Sequence, residues 1–167
     1  MNELETEKYT TIFLADKSRP TCFHLLRRSP NKQFAPNLFT GFGGKVETGE
    51  THVQGAYREL AEETGLTQIK LKEFGRMIIN QKKILYQFSG LYAGEPLTCN
   101  EGRVETVPVA QLPFLPLIPT AKIFLEAWEQ RNWRIKEHFT LLIERENLED
   151  IYSPILSIEA LPGLIGK

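Results

Sequence analysis

One stretch of the chain, residues 44–66, restricts the fold more than any other part of the sequence. It begins with glycines, continues through residues 51–64, which are typical of a helix, and reaches Gly65, a residue suited to the left-handed position that closes helices. At about 100° per residue, the apolar side chains of this helix share one face. Three carboxylates lie on the opposite face: Glu59, Glu62 and Glu63. The sequence therefore predicts a loop–helix–loop with one packed side and one acidic side.

The acidic face has two interpretations. Like charges three or four residues apart destabilise an exposed helix by about 0.2–0.5 kcal/mol per pair, and the helix dipole disfavours anions in the C-terminal half. A solvated acidic surface is the first interpretation. Convergent carboxylates behind a glycine-rich loop favour the second, an oxygen-ligand site for a hard cation such as Mg²⁺ or Mn²⁺. Such an ion retains coordination positions for substrate phosphates.

The spacing of these residues forms a recognisable pattern. Residues 44–66 match G-x5-E-x7-R-E-U-x-E-E-x-G-U, where U is an aliphatic residue, at every fixed position. On this pattern the chain resembles the Nudix hydrolases. The resemblance implies an α+β fold in which a mixed β-sheet is sandwiched between helices. It also implies metal-dependent hydrolysis of a nucleoside diphosphate linked to another moiety, so the chain is expected to be an enzyme.

The resemblance also implies roles for individual residues of this pattern. The implied metal ligands are Gly43 (through its carbonyl), Glu50, Glu59, Glu62 and Glu63. Glu59 is also a candidate base for the attacking water. Glu50 is either an outer ligand or a carboxylate that fixes the loop. Arg58 is expected to form an ion pair with Glu50 and to orient the other glutamates, and is counted with Glu59, Glu62 and Glu63 among the catalytic residues.

The segment before this pattern narrows the resemblance. Residues 34–46, with the sequence F-A-P-N-L-F-T-G-F-G-G-K-V, are similar to the corresponding region of MutT-like enzymes that hydrolyse oxidised purine triphosphates. By that similarity Phe34 would pack on the base, and Thr40 would stand where those enzymes have a base-reading asparagine. A hydroxyl makes fewer hydrogen bonds than an amide, so base recognition is expected to differ.

Other expected substrate contacts flank this segment. Arg27 and Arg28 end a predicted strand, and strand alternation lets at most one of them face the site. Arg27 is expected to be that residue. The rest of the expected substrate-binding set is Gly43, Gly44 and Lys45.

A departure from the MutT-like pattern occurs near the second predicted helix. Those enzymes read the purine with acidic residues in the loop before this helix, but residues 119–122 here are P-T-A-K. That mode of recognition is therefore in doubt. Phe114, Leu117 and Ile118 would either give the pocket its character or belong to the core.

One more carboxylate is expected later in the chain. Residues 100–105 resemble the segment in which many Nudix proteins place a further catalytic or metal-binding glutamate. Glu105 is the preferred candidate and Glu101 the second. A surface acid is the alternative for either residue.

The rest of the sequence indicates one globular domain, residues 1–167. Short strand-like segments outnumber the two helices at 51–64 and 120–131 and do not alternate with them, which favours an α+β sheet. The net charge is −1, from 20 basic and 21 acidic residues, so bulk affinity for nucleic acid or an anionic membrane is not expected. The N-terminus lacks the basic and apolar regions of a signal peptide, and no apolar run could span a bilayer, so the cytoplasm is expected.

These observations favour one function over two others. The favoured function is a metal-dependent hydrolase that cleaves a nucleoside triphosphate to monophosphate and pyrophosphate, acting on oxidised substrates such as 8-oxo-dGTP. The second is a Nudix pyrophosphatase for ADP-ribose, a nucleotide sugar or a dinucleoside polyphosphate. The third is a Nudix module that senses a nucleotide without cleaving it. The sequence leaves homodimer formation open and gives no role to residues 132–167.

Overall fold

Eight strands and two α-helices make up the computed structural model, which describes residues 6–162. The strands are β1 (Glu7–Asp16), β2 (Cys22–Arg28), β3 (Phe39–Thr40), β4 (Lys72–Ile79), β5 (Lys83–Tyr92), β6 (Gly102–Pro108), β7 (Phe139–Arg145) and β8 (Ile155–Pro162). The helices are α1 (His52–Thr64) and α2 (Pro119–Glu129), with a 3₁₀ helix at Val109–Phe114 before α2. None of the helices in the described part of the chain is long and apolar enough to span a membrane.

The strands form a mixed sheet in the order β3-β2-β1-β5-β4-β7-β8. The remaining strand, β6, lies outside this order and pairs with β2. The pairs β1–β5 and β4–β7 are parallel, and the remaining ladders are antiparallel. The prediction of a mixed sheet and an α+β fold is therefore confirmed. The last strand begins at Ile155, after a loop over residues 146–154.

Strand alternation divides the core between the two helices. On β1, Ile12 and Leu14 face one side of the sheet, where they pack in a cluster with Ala56 and Leu60 of α1. Phe13 faces the other side and packs in a second cluster with residues of α2. We call these the α1 side and the α2 side of the sheet. Each helix thus covers one face of the sheet and shields the apolar side chains there from water.

Local sequence signals fix both ends of α1. At the N-terminus, the Thr51 hydroxyl accepts from the Gln54 backbone N–H, and the Gln54 side chain accepts from the Thr51 N–H. This reciprocal pair is a capping box, which satisfies two backbone donors that the helix itself leaves free. At the C-terminus, Gly65 adopts a left-handed conformation with φ 78°. The predicted helix over residues 51–64 is therefore confirmed, with Thr51 as its N-cap.

A buried carboxylate ties the start of α1 to the sheet. Glu73 on β4 is hydrogen-bonded to His52 at 2.5 Å and to His138 at 2.7 Å, and accepts from Arg76 at 2.9 Å. Burial alone would raise the pKa of Glu73, but these three hydrogen bonds more than offset burial and lower that pKa well below its ordinary value. Glu73 therefore stabilises the fold as a carboxylate.

We expect Glu73→Gln to lower the free energy of unfolding at pH 7 by about 3 kcal/mol, because His52, His138 and Arg76 lose a buried charged partner. A depressed pKa stabilises the folded state above the ordinary value of 4.5, and this contribution is lost as the pH falls below it. The difference between wild type and variant should therefore shrink in acid. Urea unfolding across pH 3–7 measures it, with Glu129→Gln as the exposed control. A difference that stays constant with pH would contradict this role.

Candidate functional site

Arg58 is the centre of the hydrogen-bond network on the acidic face of α1. Its guanidinium donates to Glu50 at 2.7 Å, to Glu59 at 2.9 Å and to Glu62 at 3.1 Å. It also donates to the carbonyl of Lys45 at 3.0 Å, which fixes the loop that precedes the helix. Hydrogen bonds from Arg58 lower the pKa of Glu50, and Glu50 in turn is the largest factor that raises the pKa of Arg58. The expected pairing of Arg58 with Glu50 is present.

Glu63 occupies a different environment from the other carboxylates of this helix. It is 9% exposed, and among the described residues it forms no ion pair. Burial, followed by the negative charge of Glu59, raises the pKa of Glu63 to about 8. The Gly43 N–H donates to its carboxyl at 3.4 Å. Glu63 is therefore a buried acid that lacks a positive partner.

Two glycines allow the loop to approach the carboxylates closely. A Cβ on Gly44 would lie 2.7 Å from the carboxyl carbon of Glu59, and one on Gly43 would lie 2.1 Å from the carbonyl oxygen of Thr10. Gly43 also has φ 141°, which favours glycine. The Thr10 N–H donates to the Gly44 carbonyl at 2.9 Å and so joins this loop to β1. A side chain at Gly43 would therefore collide with the backbone of β1, whereas one at Gly44 would require the Glu59 carboxylate to move.

The donor chemistry of this face suits a divalent cation. Glu59, Glu62 and Glu63 offer carboxylate oxygens, the ligands that hard cations prefer, and a cation would supply the positive charge that Glu63 lacks. Within residues 6–162, however, no three His, Cys, Asp or Glu side chains form a ready-made ligand group. Two of these carboxylates, those of Glu59 and Glu62, form ion pairs with Arg58 instead. The Glu50 carboxylate accepts hydrogen bonds from Arg58 and from the Glu47 backbone N–H, so in this arrangement it fixes the loop.

Glu105 is the preferred candidate for the additional carboxylate, but its place in the strand register directs it away from the acidic face of α1. Glu105 pairs with Leu25, whose side chain packs on the α2 side, so Glu105 points away from α1. Glu101, the second candidate, lies near the acidic face, because its backbone N–H donates to the Cys99 sulfur at 3.5 Å and the Cys99 thiol donates to the Glu63 carboxyl at 4.0 Å. Glu101 also forms an ion pair with Lys32. The structure therefore favours Glu101.

A cleft of about 420 Å³ adjoins this face and shares its glycine loop. The expected substrate-binding residues that line it are Phe34, Thr40, Gly43, Gly44 and Lys45. Arg27 does not line the cleft, and its guanidinium lies 5.4 Å from the centre of the Phe39 ring. Arg28 lines it instead, and its Nε donates to the Phe34 carbonyl at 2.9 Å. The expectation that Arg27 faces the site is therefore corrected to Arg28.

The apolar residues near α2 divide between the cleft and the core. Ile118 and Thr120 line the cleft, whereas Leu117 is buried in the cluster on the α2 side. Phe114 is 86% exposed and lies outside the cleft. Further lining residues come from strands and a loop that are distant in sequence and carry no local signal of this role: Ile79, Lys83, Leu85, Arg145, Glu149 and Ile151.

Comparison with known proteins agrees with this geometry. The sequence matches the NUDIX domain over residues 7–128. The chain belongs to the Nudix family. This Nudix chain is 38% identical over 115 residues to the oxidized purine nucleoside triphosphate hydrolase of Danio rerio, covering 65% of this chain and 71% of that protein. It is 31% identical over 117 residues to the Mus musculus protein of the same name, covering 66% and 72%.

Solved structures support the same fold. The MutT protein from Bacillus halodurans superposes with a TM-score of 0.69 at 18% identity, covering 92% of this chain and 97% of that one. The prediction of a Nudix fold with a MutT-like resemblance is therefore confirmed. The family generally requires a divalent metal, and the relatives from Danio rerio and Mus musculus are named as hydrolases.

Proposed function

We propose that this Nudix chain hydrolyses nucleoside triphosphates to monophosphate and pyrophosphate, using Mg²⁺ or Mn²⁺. Its proposed substrates are oxidised purine deoxynucleotides such as 8-oxo-dGTP. The main support is that the glycine loop, residues 43–45, is shared by the acidic face of α1 and the 420 Å³ cleft. A ligand in the cleft would thus have its phosphates beside the carboxylates. The names of the two relatives support the choice of substrate.

In the proposed reaction, water adds to a phosphorus atom and the bond to the bridging oxygen breaks. The metal, held by Glu59, Glu62 and Glu63, would neutralise phosphate charge and lower the pKa of a bound water. Glu59 would accept the proton from the attacking water. Arg58 would orient Glu59 and Glu62, with which it is already hydrogen-bonded. Such a transfer depends on positioning and charge neutralisation and needs no covalent intermediate.

The proposed binding site for the base is formed by Phe34 and Thr40, which also line the cleft. The Phe34 ring is 53% exposed and has the Arg28 guanidinium 5.4 Å from its centre, so it offers an aromatic face for a base. Thr40 would give one hydrogen bond. One observation favours a second candidate, hydrolysis of another diphosphate conjugate: Thr120 lines the cleft where MutT-like enzymes place an acidic residue.

A substrate panel tests this function. We expect 8-oxo-dGTP to give the highest kcat/KM, with pyrophosphate as a product, when compared with dGTP, ADP-ribose, a dinucleoside polyphosphate and NAD-capped RNA. EDTA should abolish turnover and excess Mg²⁺ should restore it. Ion chromatography of the products separates pyrophosphate release from other cleavages. Turnover of ADP-ribose alone would contradict the substrate proposal, and full activity in EDTA would contradict the role of the metal.

A further inference from the structure

A buried arginine lies in the wall of the cleft at the end of β7. Arg145 lines the cleft, yet the residue is only 6% exposed. Its Nη2 donates to the Leu148 carbonyl, and its Nε is buried without a hydrogen-bond partner. The described part of the chain provides this guanidinium with no ion pair. A buried cation without a counter-ion is unfavourable unless another group supplies acceptors, so this side chain is a candidate for ligand binding.

The backbone of Arg145 is held firmly in place. The Arg145 N–H donates to the Asn80 side-chain oxygen at 2.7 Å, and the Asn80 amide donates to the Arg145 carbonyl at 2.9 Å. Asn80 itself has φ 50° in the turn between β4 and β5. Burial lowers the pKa of Arg145, and the charges of Glu149 and Asp150 offset this only in part. The fold therefore positions a cation that its own carboxylates do not contact.

A carboxylate accompanies Arg145 in the same wall. Glu149, in the loop between β7 and β8, lines the cleft and accepts from Lys83 Nζ at 3.0 Å. Ile151 of the same loop packs in a small cluster with Ala35 and Ile118, so the loop is anchored against the opposite wall. This end of the cleft thus offers both a hydrogen-bond donor and an acceptor.

The strand order separates this end from the glycine loop. Residues 43–45 lie alongside β1, whereas Arg145 ends β7, three strands away through β5 and β4. At about 4.8 Å between neighbouring strands, the separation is roughly 14 Å along the sheet. This distance is comparable with the length of a nucleoside with one phosphate. With the phosphates beside the carboxylates, the base would lie towards Arg145.

We propose that Arg145 and Glu149 bind the nucleobase and select purines with a carbonyl at carbon 6 over purines with an amino group there. The inference rests on the proposed function. A guanidinium can only donate, so it pairs with a carbonyl oxygen and meets an amino group as a second donor. Glu149 would accept from a ring N–H. These residues would recognise the base in place of the acidic residues that the segment 119–122 lacks.

The test compares Arg145→Met with wild type on four triphosphates: dGTP, 8-oxo-dGTP, dATP and 8-oxo-dATP. We expect kcat/KM for the two 6-oxo substrates to fall about 10–100-fold, mainly through KM, while the two 6-amino substrates change less than about threefold. Arg145→Lys should recover part of the loss because it retains a donor. Arg19→Met removes an exposed guanidinium outside the cleft and is the control.

A second variant and a binding measurement distinguish a loss of base selection from a folding defect. Glu149→Gln alters a side chain that is 72% exposed, and it should also reduce the 6-oxo to 6-amino ratio. Calorimetry with dGMP and dAMP in EDTA measures base selection without turnover. Arg145→Met should weaken the binding of dGMP but not that of dAMP. An equal loss for all four triphosphates, or an unchanged ratio in both variants, would overturn the inference. A wild type that cleaves none of the triphosphates would instead overturn the proposed function.

Discussion

Replacing Glu62 with glutamine is expected to lower kcat by about 10³-fold, equivalent to about 4 kcal/mol of transition-state stabilisation, and to leave the fold intact. The side chain is 59% exposed, so the change costs little in packing. Glutamine retains an oxygen for the hydrogen bond from Arg58, but it removes one of the negative charges proposed to hold the metal. Steady-state kinetics at saturating Mg²⁺ and thermal unfolding measure the two effects separately.

The chain offers a matched control for this prediction. Glu126 on α2 is 58% exposed and pairs with Lys122 four residues away, as Glu62 pairs with Arg58. Glu126→Gln should change kcat by less than about twofold. Equal activity of Glu62→Gln and wild type would remove Glu62 from the catalytic set.

Gly44→Ala is also expected to lower turnover strongly. The new Cβ would lie 2.7 Å from the carboxyl carbon of Glu59, so the carboxylate must move. A displacement of about 1 Å at a reacting group lowers turnover by about 10²-fold. Because Glu59 is the end of a flexible side chain, the free energy of unfolding should change by less than about 1 kcal/mol. Kinetics and urea unfolding of the same preparation measure both quantities.

Two neighbouring glycines distinguish this effect from a general loss of flexibility in the loop. Gly43→Ala would place a Cβ 2.1 Å from a backbone oxygen at φ 141°, so it should destabilise the fold by about 3 kcal/mol or more. Gly49 has φ 87° with open space around it, so Gly49→Ala should cost about 1 kcal/mol and retain kcat. Wild-type kcat in Gly44→Ala would show that Glu59 need not occupy its present position.

Strand register decides the direction of the expected site residues on β2 and β6, which the local pattern leaves open. The direction of Glu105 depends on whether it pairs with Leu25 or Leu26 of β2, and a shift of one residue in the register reverses it, whereas Glu101 precedes β6 and is not placed by alternation. The choice between Arg27 and Arg28 depends in the same way on which face of β2 borders the cleft. Alternation showed that at most one of these arginines faces the site, but it could not show which one.

The sequence by itself determined the local features of this protein. The capping box of Thr51 and Gln54, the closing Gly65 and the acidic face of α1 follow from helical geometry over a few residues, so they could be predicted without the rest of the chain. The motif in residues 44–66 was enough to indicate the family and the α+β fold.

Only the tertiary structure decided which distant residues meet. Glu73 contacts His52 and His138, 21 and 65 residues away, and Asn80 holds Arg145 across 65 residues. The parallel pairing of β4 with β7 brings His138 to Glu73 and Arg145 to Asn80, and the packing of α1 on the sheet brings His52 to Glu73. No periodicity within a single element encodes these partners. A motif specifies chemistry through spacing along the chain, whereas the far wall of the cleft depends on strand order and register, which the packing of the whole sheet sets.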